Sequence, residues 1–154
     1  MFHIVLYEPE IPPNTGNLIR LCANTGFALH LIEPLGFSVS EKAFRRAGLD
    51  YHEAASMQLH ATLDAALAAI LPKPGRLFAC TTKGSTNYTD FRFQPEDTFL
   101  FGPETRGLPD DVLADDRVAH RLRIPMRDGS RSLNLANAVA IVAFEAWRQN
   151  EFRV

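Results

Sequence analysis

Thr98-Phe99-Leu100-Phe101-Gly102-Pro103-Glu104-Thr105-Arg106-Gly107-Leu108 is the stretch that decides the fold class of this chain. Its first four residues are β-branched, aromatic or aliphatic, the composition of a buried strand. Gly102 and Pro103 break that strand, and a carboxylate and a guanidinium stand between the break and Gly107. Ligands of open α/β sheets bind beyond the carboxyl ends of the strands, so the turn marks a site as well as a strand end. It lacks the three glycines of a dinucleotide fingerprint and the Gly-Lys-Ser/Thr of a P-loop. A glycine turn that fits neither phosphate cradle points to another ligand geometry.

Outward from this turn, strands and helices alternate. Residues 2–7, 28–32, 76–81, 97–101 and 122–125 read as strands. Pro9, Pro12, Pro13 and Gly16 make a stiff loop before a helix over 17–24, which Gly26 stops. Ser40 is a plausible N-cap for a helix through Ala47 ended by Gly48, and the apolar spacing over 59–71 predicts another, closed by Pro72 and Pro74. A short helix near 109–113 and a long one over 133–150 complete the series. The pattern is that of an α/β fold with a mainly parallel sheet flanked by helices, expected as one domain over residues 1–154. The last helix is apolar on more than one stripe, through Leu135, Ala136, Val139, Ala140, Val142, Ala143, Ala146 and Trp147. Such width fits either thorough burial within one subunit or a second subunit.

At 154 residues, 46% hydrophobic and 22% charged, the composition is that of an ordinary soluble protein with a real core. The first apolar run meets Glu8 too early to span a bilayer and lacks the marks of a signal peptide. Cys22 and Cys80 alone make a disulfide framework improbable, and the five histidines show no metal-ligand spacing. A cytoplasmic protein without metal or membrane partner is the expectation. The net charge of −2 hides an uneven distribution. Most of the 16 basic residues are arginine, and Arg106, Arg117, Arg121, Arg123, Arg127 and Arg131 fall in one stretch. Arginine grips phosphate bidentately and stacks on bases, although solvated, ion-paired faces would look the same from sequence.

Two further polar segments follow the glycine-turn logic. One is Pro13-Asn14-Thr15-Gly16-Asn17, with Arg20 three residues on; the other is Ile124-Pro125-Met126-Arg127-Asp128-Gly129-Ser130-Arg131-Ser132-Leu133-Asn134, leading into the last helix. Each has a local explanation when taken singly. Asn14 and Asn17 suit turns or caps, Glu104 can pair with Arg106, and Ser130 or Ser132 can cap a helix. Three such segments on one sheet edge are harder to explain locally.

In this order the three segments resemble the SPOUT superfamily of RNA methyltransferases, within it the TrmH-type 2′-O-methyltransferases. The runs Tyr7 to Asn17 and Phe44-Arg45-Arg46-Ala47-Gly48-Leu49-Asp50-Tyr51 narrow the resemblance to the branch that methylates the wobble nucleotide of tRNA. The resemblance covers essentially the whole chain. It implies a SPOUT fold with a C-terminal deep trefoil knot and a homodimer. It also implies S-adenosyl-L-methionine as methyl donor, with S-adenosyl-L-homocysteine as product, and a tRNA anticodon loop as partner. Carried over, the donor pocket would use Cys80, Thr81, Gly102, Glu104, Gly107, Ile124, Met126, Ser132, Leu133 and Asn134. Glycine backbone can approach an adenine closely, and Leu100, Ile124 and Leu133 could sandwich it. Cys80 would contribute its backbone, with the thiol as an apolar filler.

Catalytic positions implied by the resemblance are Asn14, Arg20, Glu104, Ser132 and Asn134. Arg20 stands where the family has its catalytic arginine, as base or as anchor. A guanidinium with a pKa above ~12 agrees better with gripping a phosphate and stabilising a developing alkoxide. Phe144 stands where some relatives have tyrosine, so a hydroxyl role is absent. Arg20, Arg45, Arg46 and Arg131 are the candidate RNA contacts. With no appended RNA-binding domain expected, the dimer surface would read single-stranded loop bases. The competing readings are 2′-O-methylation at another tRNA or rRNA site, a non-catalytic α/β nucleotide-binding module, and a pure RNA-binding protein.

Overall fold

The first strand, β1 (His3–Tyr7), alternates as a doubly buried strand must: Ile4 and Leu6 enter one apolar cluster and Val5 enters another. A computed structural model describes residues 1–46, 48, 57–71 and 75–153. In it, β1 is followed by α1 (Pro12–Thr25), β2 (Ala28–Ile32), α2 (Glu41–Arg46), β3 (Met57–His60) and α3 (Leu63–Ile70). Then come β4 (Leu77–Cys80), β5 (Thr86–Asn87), β6 (Thr98–Phe101), α4 (Asp110–Leu113), β7 (Val118–Arg123) and α5 (Leu135–Gln149). The strands form one sheet in the order β3-β2-β1-β6-β4-β7-β5, and every pairing is parallel. The mainly parallel α/β sheet read from sequence is thus wholly parallel.

Both faces are covered, as a parallel sheet requires. Helices α1 and α5 pack Leu18, Ile19, Cys22, Val139, Val142 and Ala143 against Ile4, Leu6, Phe78 and Phe99. On the other face, Ala66, Leu67 and Ile70 of α3 and Val112 and Leu113 of α4 cover Val5, Ala79 and Leu100. Buried polar groups are hydrogen-bonded in series on β1, β2 and β3. His3 Nδ1 lies 3.1 Å from His30 Nε2, and His30 Nδ1 lies 3.0 Å from His60 Nε2. His3 Nε2 faces the Glu96 carboxylate at 3.2 Å and is the donor there, since an ionised carboxylate can only accept.

Several boundaries differ from the sequence reading. Helix α1 starts at Pro12 rather than near Asn17, because prolines at its first two positions cost no hydrogen bond that a helix start would have made. The run read as one helix over 59–71 opens with edge strand β3; Thr62 accepts from Ala65 N and starts α3 only there. Strand β7 begins at Val118, earlier than the expected 122–125, and β5 was hidden in a polar loop. Ala47, Pro72 and Pro74, assigned to helix ends by sequence, lie outside the described residues, as does half of the Phe44–Tyr51 run.

The topology holds one further constraint. Strand β7 lies between β4 and β5, although the chain makes β4 and β5 first. The segment joining them therefore brackets β7, with Thr81 N donating to Leu122 O at 2.9 Å and Gly84 set close against the Leu122 backbone, where a Cβ would make a tight contact at 3.0 Å. The chain returning from β5 to β6 carries Phe91 and Phe93, edge-on to Phe78.

The starts of β4 and β6 are tied by Asp97, which is 1% exposed. Its carboxylate accepts from Arg76 N (3.0 Å), Arg76 Nε (3.1 Å), Arg76 Nη2 (2.6 Å) and Gln94 N (2.8 Å). Replacing Asp97 with Ala is expected to destabilise the fold by about 3 kcal/mol, since four donors lose their acceptor. A denaturant midpoint equal to that of the wild type would contradict this role.

Candidate functional site

The seven strands among the described residues point the same way, so the loops after β1, β6, β4 and β7 share one edge of the sheet. The loop after β6 is folded tightly on itself. A Cβ at Gly102 would lie 2.2 Å from Leu108 N and 2.3 Å from Gly107 C, so only glycine fits. Gly107 has φ +67° and donates its N–H to Pro103 O at 2.9 Å.

Glu104, in that loop, is held by the start of α1. The helix begins with Pro12 and Pro13, has no acidic residue in its first turn, and Ile11 at its N-cap offers no side-chain acceptor. Pro12 and Pro13 bring no N–H, and Asn14 N donates to Ile11 O at 3.1 Å, so it is the N–H groups of Glu10 and Ile11, at and just before the N-cap, that need an acceptor from elsewhere. The Glu104 carboxylate supplies it, accepting from Glu10 N at 2.7 Å and Ile11 N at 3.0 Å. A negative group at a helix N-terminus is favoured by the helix dipole as well as by the hydrogen bonds.

Asn14 continues the line. Its Nδ2 donates to Glu104 Oε1 at 3.3 Å, and its Oδ1 accepts from Asn134 Nδ2 at 2.9 Å. Both ends of this buried amide are thus used, and its orientation is fixed. Asn134 Oδ1 in turn accepts from Asn137 N at 3.3 Å and caps α5. Glu104, Asn14 and Asn134, one from each polar segment singled out in the sequence, form a single hydrogen-bonded line. Ser130 or Ser132 is the cap of α5 expected from sequence; the structure gives that place to Asn134 and puts Ser132 in a neighbouring cleft.

That cleft is lined by Cys80, Thr81, Thr82, Phe101, Leu122, Ile124, Met126, Ser132, Leu133 and Ala138. Six of the expected donor-pocket positions meet there: Cys80, Thr81, Ile124, Met126, Ser132 and Leu133. Gly102 and Gly107 shape the turn beyond Phe101, while Glu104 and Asn134 belong to the hydrogen-bonded line. Leu100 is a correction. Strand alternation sends it into the opposite core cluster with Val5 and Ala79, and Phe101 faces the cleft instead. Thr82, Phe101, Leu122 and Ala138 were missed. Period-two alternation carried the signal for Phe101, and a polar run hid Thr82. Burial pushes the Cys80 thiol well above its ordinary value, which makes it a neutral apolar filler rather than a nucleophile.

Arg20 lies outside the cleft on the exposed side of α1, and its Nη2 donates to Gly48 O at 3.2 Å. Gly48 N donates to Arg45 O at 3.1 Å, so Arg20 adjoins the end of the segment bearing Arg45 and Arg46, both exposed. Arg131 is exposed on the 124–134 loop, near the rim residues Met126 and Leu133. Two contacts unforeseen in the sequence tie neighbouring loops. Arg106 Nη2 donates to Glu8 Oε2 at 2.7 Å, rather than pairing with Glu104, and Thr105 donates to Glu10. Among the described residues no cluster of His, Cys, Asp or Glu could hold a metal ion, and no helix is long and apolar enough to cross a membrane.

Comparison with known proteins agrees with this geometry. The SpoU rRNA Methylase family profile matches residues 1–144. A tRNA (cytidine(34)-2′-O)-methyltransferase of Burkholderia ambifaria is 60% identical over 152 residues, 99% of this chain and 97% of that protein. The protein of the same name from Escherichia coli K12 is 56% identical over 149 residues, covering 97% and 94%. A solved structure whose subject is the 2-OH methylation of C/U34 on tRNA superposes with a TM-score of 0.88 at 48% identity, over 99% of this chain and 98% of the other. The AdoMet complex of AviRb from Streptomyces viridochromogenes shares the fold alone, with a TM-score of 0.82 at 23% identity over 97% of this chain and 57% of that one. With its ordered polar segments on one sheet edge and a profile match over nearly its full length, the chain belongs to the SpoU rRNA methylase family.

Proposed function

We propose that this chain is an S-adenosylmethionine-dependent tRNA methyltransferase that modifies the ribose 2′-oxygen of the wobble nucleotide, cytidine or uridine 34, in the anticodon loop. The observation that carries this reading is the line Glu104–Asn14–Asn134 running beside an apolar cleft, with Arg20 on the same helix as Asn14. The names of relatives at 56–60% identity supply the substrate.

The cleft suits the methyl donor chemically. Phe101, Leu122, Ile124 and Leu133 offer apolar surface for an adenine and a thioether, and Thr81, Thr82 and Ser132 supply a few polar groups among them. The turn at Gly102, next to the cleft-lining Phe101, has no room for a side chain and is folded tightly on Gly107 and Leu108. When bound, S-adenosylmethionine supplies a methyl group on a positively charged sulfur. The protein's own part is to bind and orient. Asn14, locked at both ends, fixes the first turn of α1, and Arg20 extends from that same rigid helix. Arg20 serves as a fork-shaped donor to a phosphate and to the 2′-oxygen as that atom gains charge, the hydroxyl proton passing to solvent as the methyl leaves the sulfur. Arg45, Arg46 and Arg131 add contacts to the RNA backbone.

Three further features belong to this reading. A trefoil knot in the last third of the chain is supported by β7 lying inside the segment that joins β4 to β5. A homodimer is supported by an exposed aromatic cluster on and after α5. Phe144 is 46% exposed and packs edge-on to Trp147 at 5.7 Å, and Trp147 packs on Phe152 at 5.3 Å. Sedimentation equilibrium should give twice the 17.2 kDa chain mass, and a single-chain mass at micromolar concentration would count against the dimer. Residence in the cytoplasm fits two unpaired cysteines and a tRNA substrate.

The decisive experiment incubates the protein with labelled S-adenosylmethionine and tRNA lacking the modification, then maps the product. A 2′-O-methyl group at nucleotide 34 is expected. Arg20→Lys should lower kcat by about tenfold or more, because a point charge replaces a planar fork. Methylation elsewhere, or none, would refute the proposed substrate, and normal turnover by Arg20→Lys would refute the bidentate role.

A further inference from the structure

We propose that Glu10 and Thr105 are positioning residues for methyl transfer, holding the helix that carries Asn14 and Arg20 in register with the loop after β6. The inference rests on the function proposed above and deepens it. Glu10 Oε1 accepts from Thr105 N at 3.3 Å and from Thr105 Oγ1 at 2.8 Å, with Oε2 at 3.1 Å from the same hydroxyl. In the opposite direction, Glu104 accepts from Glu10 N and Ile11 N. Each loop thus lends a carboxylate to the backbone of the other. A slide of either loop past its neighbour breaks both sets of bonds together.

The clasp lies at a mechanically sensitive point. The sheet runs β1, β2, β3 in one direction and β6, β4, β7 in the other, so strand order reverses between β1 and β6. Ligands of open α/β sheets usually occupy that crevice. Here the two loops fill it with each other. From Glu10 the chain passes through Ile11 to Pro12 and Pro13, whose fixed φ makes a stiff link into α1. A shift at Glu10 is therefore carried to Asn14 and Arg20 rather than absorbed. Glu8, with φ +47°, turns the chain toward this crevice and is itself held by Arg106 at 2.7 Å.

Glu10 and Thr105 do not line the cleft, and Thr105 is exposed. Their loss leaves no buried group unpaired, and exposed hydrogen bonds of this kind contribute little to net stability. What they alter is geometry. Misplacing a catalytic group by about 1 Å costs up to ~100-fold in rate, so even a partial shift would register in kcat.

The test measures kcat on tRNA, cofactor Kd by calorimetry, and amide exchange across residues 14–20. Glu10→Ala and Thr105→Val should each lower kcat by about tenfold, with cofactor Kd within about twofold of the wild type. Amides of 14–20 should exchange faster in both variants. Glu10→Gln and Thr105→Ser keep an acceptor and a hydroxyl, and should stay within about threefold of the wild-type kcat. Wild-type kcat in Glu10→Ala would overturn the inference while leaving the proposed function intact. So would a cofactor Kd that worsens as much as kcat falls, or equal losses in the conservative variants. A wild-type protein that transfers no methyl to tRNA, yet shows the exchange difference, would overturn the function and leave the clasp standing.

Discussion

A single carboxylate organises the functional edge of this protein. Helix α1 starts with two prolines and no capping side chain, and Glu104 arrives from a loop more than ninety residues away to accept from Glu10 N and Ile11 N, the groups that lead into it. Those two bonds tie the loop after β6 to the chain entering α1. The same carboxylate receives Asn14 Nδ2, which sets the amide so that its oxygen faces Asn134. Order in the cap therefore becomes order in the first turn of α1, in the loop after β6 and in the start of α5.

This arrangement explains why the cleft lies where it does. In many parallel sheets the reversal of strand order leaves an open crevice for a ligand. Here that crevice is filled by side chains that bond each other's backbone, and the open space is displaced toward β4, β6 and β7. Apolar lining and glycine-tight backbone make the displaced cleft suitable for an adenosine-like group. The polar line reaches the cleft through Asn134, which follows the cleft-lining Leu133, while Arg20, Arg45 and Arg46 stand exposed on α1 and α2.

Much of this was legible in the sequence, and the rest had physical reasons to be hidden. The break at Gly102-Pro103 marked the end of β6 correctly, because strand composition and turn chemistry are local. The three polar segments could be placed on one edge because a parallel sheet collects its strand ends there. Their connection through Asn14 could not be read, since it depends on a register between segments 90 and 120 residues apart. Local pairing of Glu104 with Arg106 looked natural from sequence; tertiary contact sends Arg106 to Glu8 instead. Leu100 was assigned to the cleft on hydrophobicity alone, whereas period-two alternation gives that place to Phe101. The early start of α1 was obscured because proline punctuates loops as readily as it opens helices.

The central claim is that these segments act as one hydrogen-bonded unit in methyl transfer. A double-mutant cycle between Asn14→Ala and Asn134→Ala, read as kcat/KM on tRNA, tests it most directly. If the line acts as a unit, the double variant loses about as much as the worse single variant, because the first substitution already breaks the path. Losses that multiply, as for independent sites, would contradict the account.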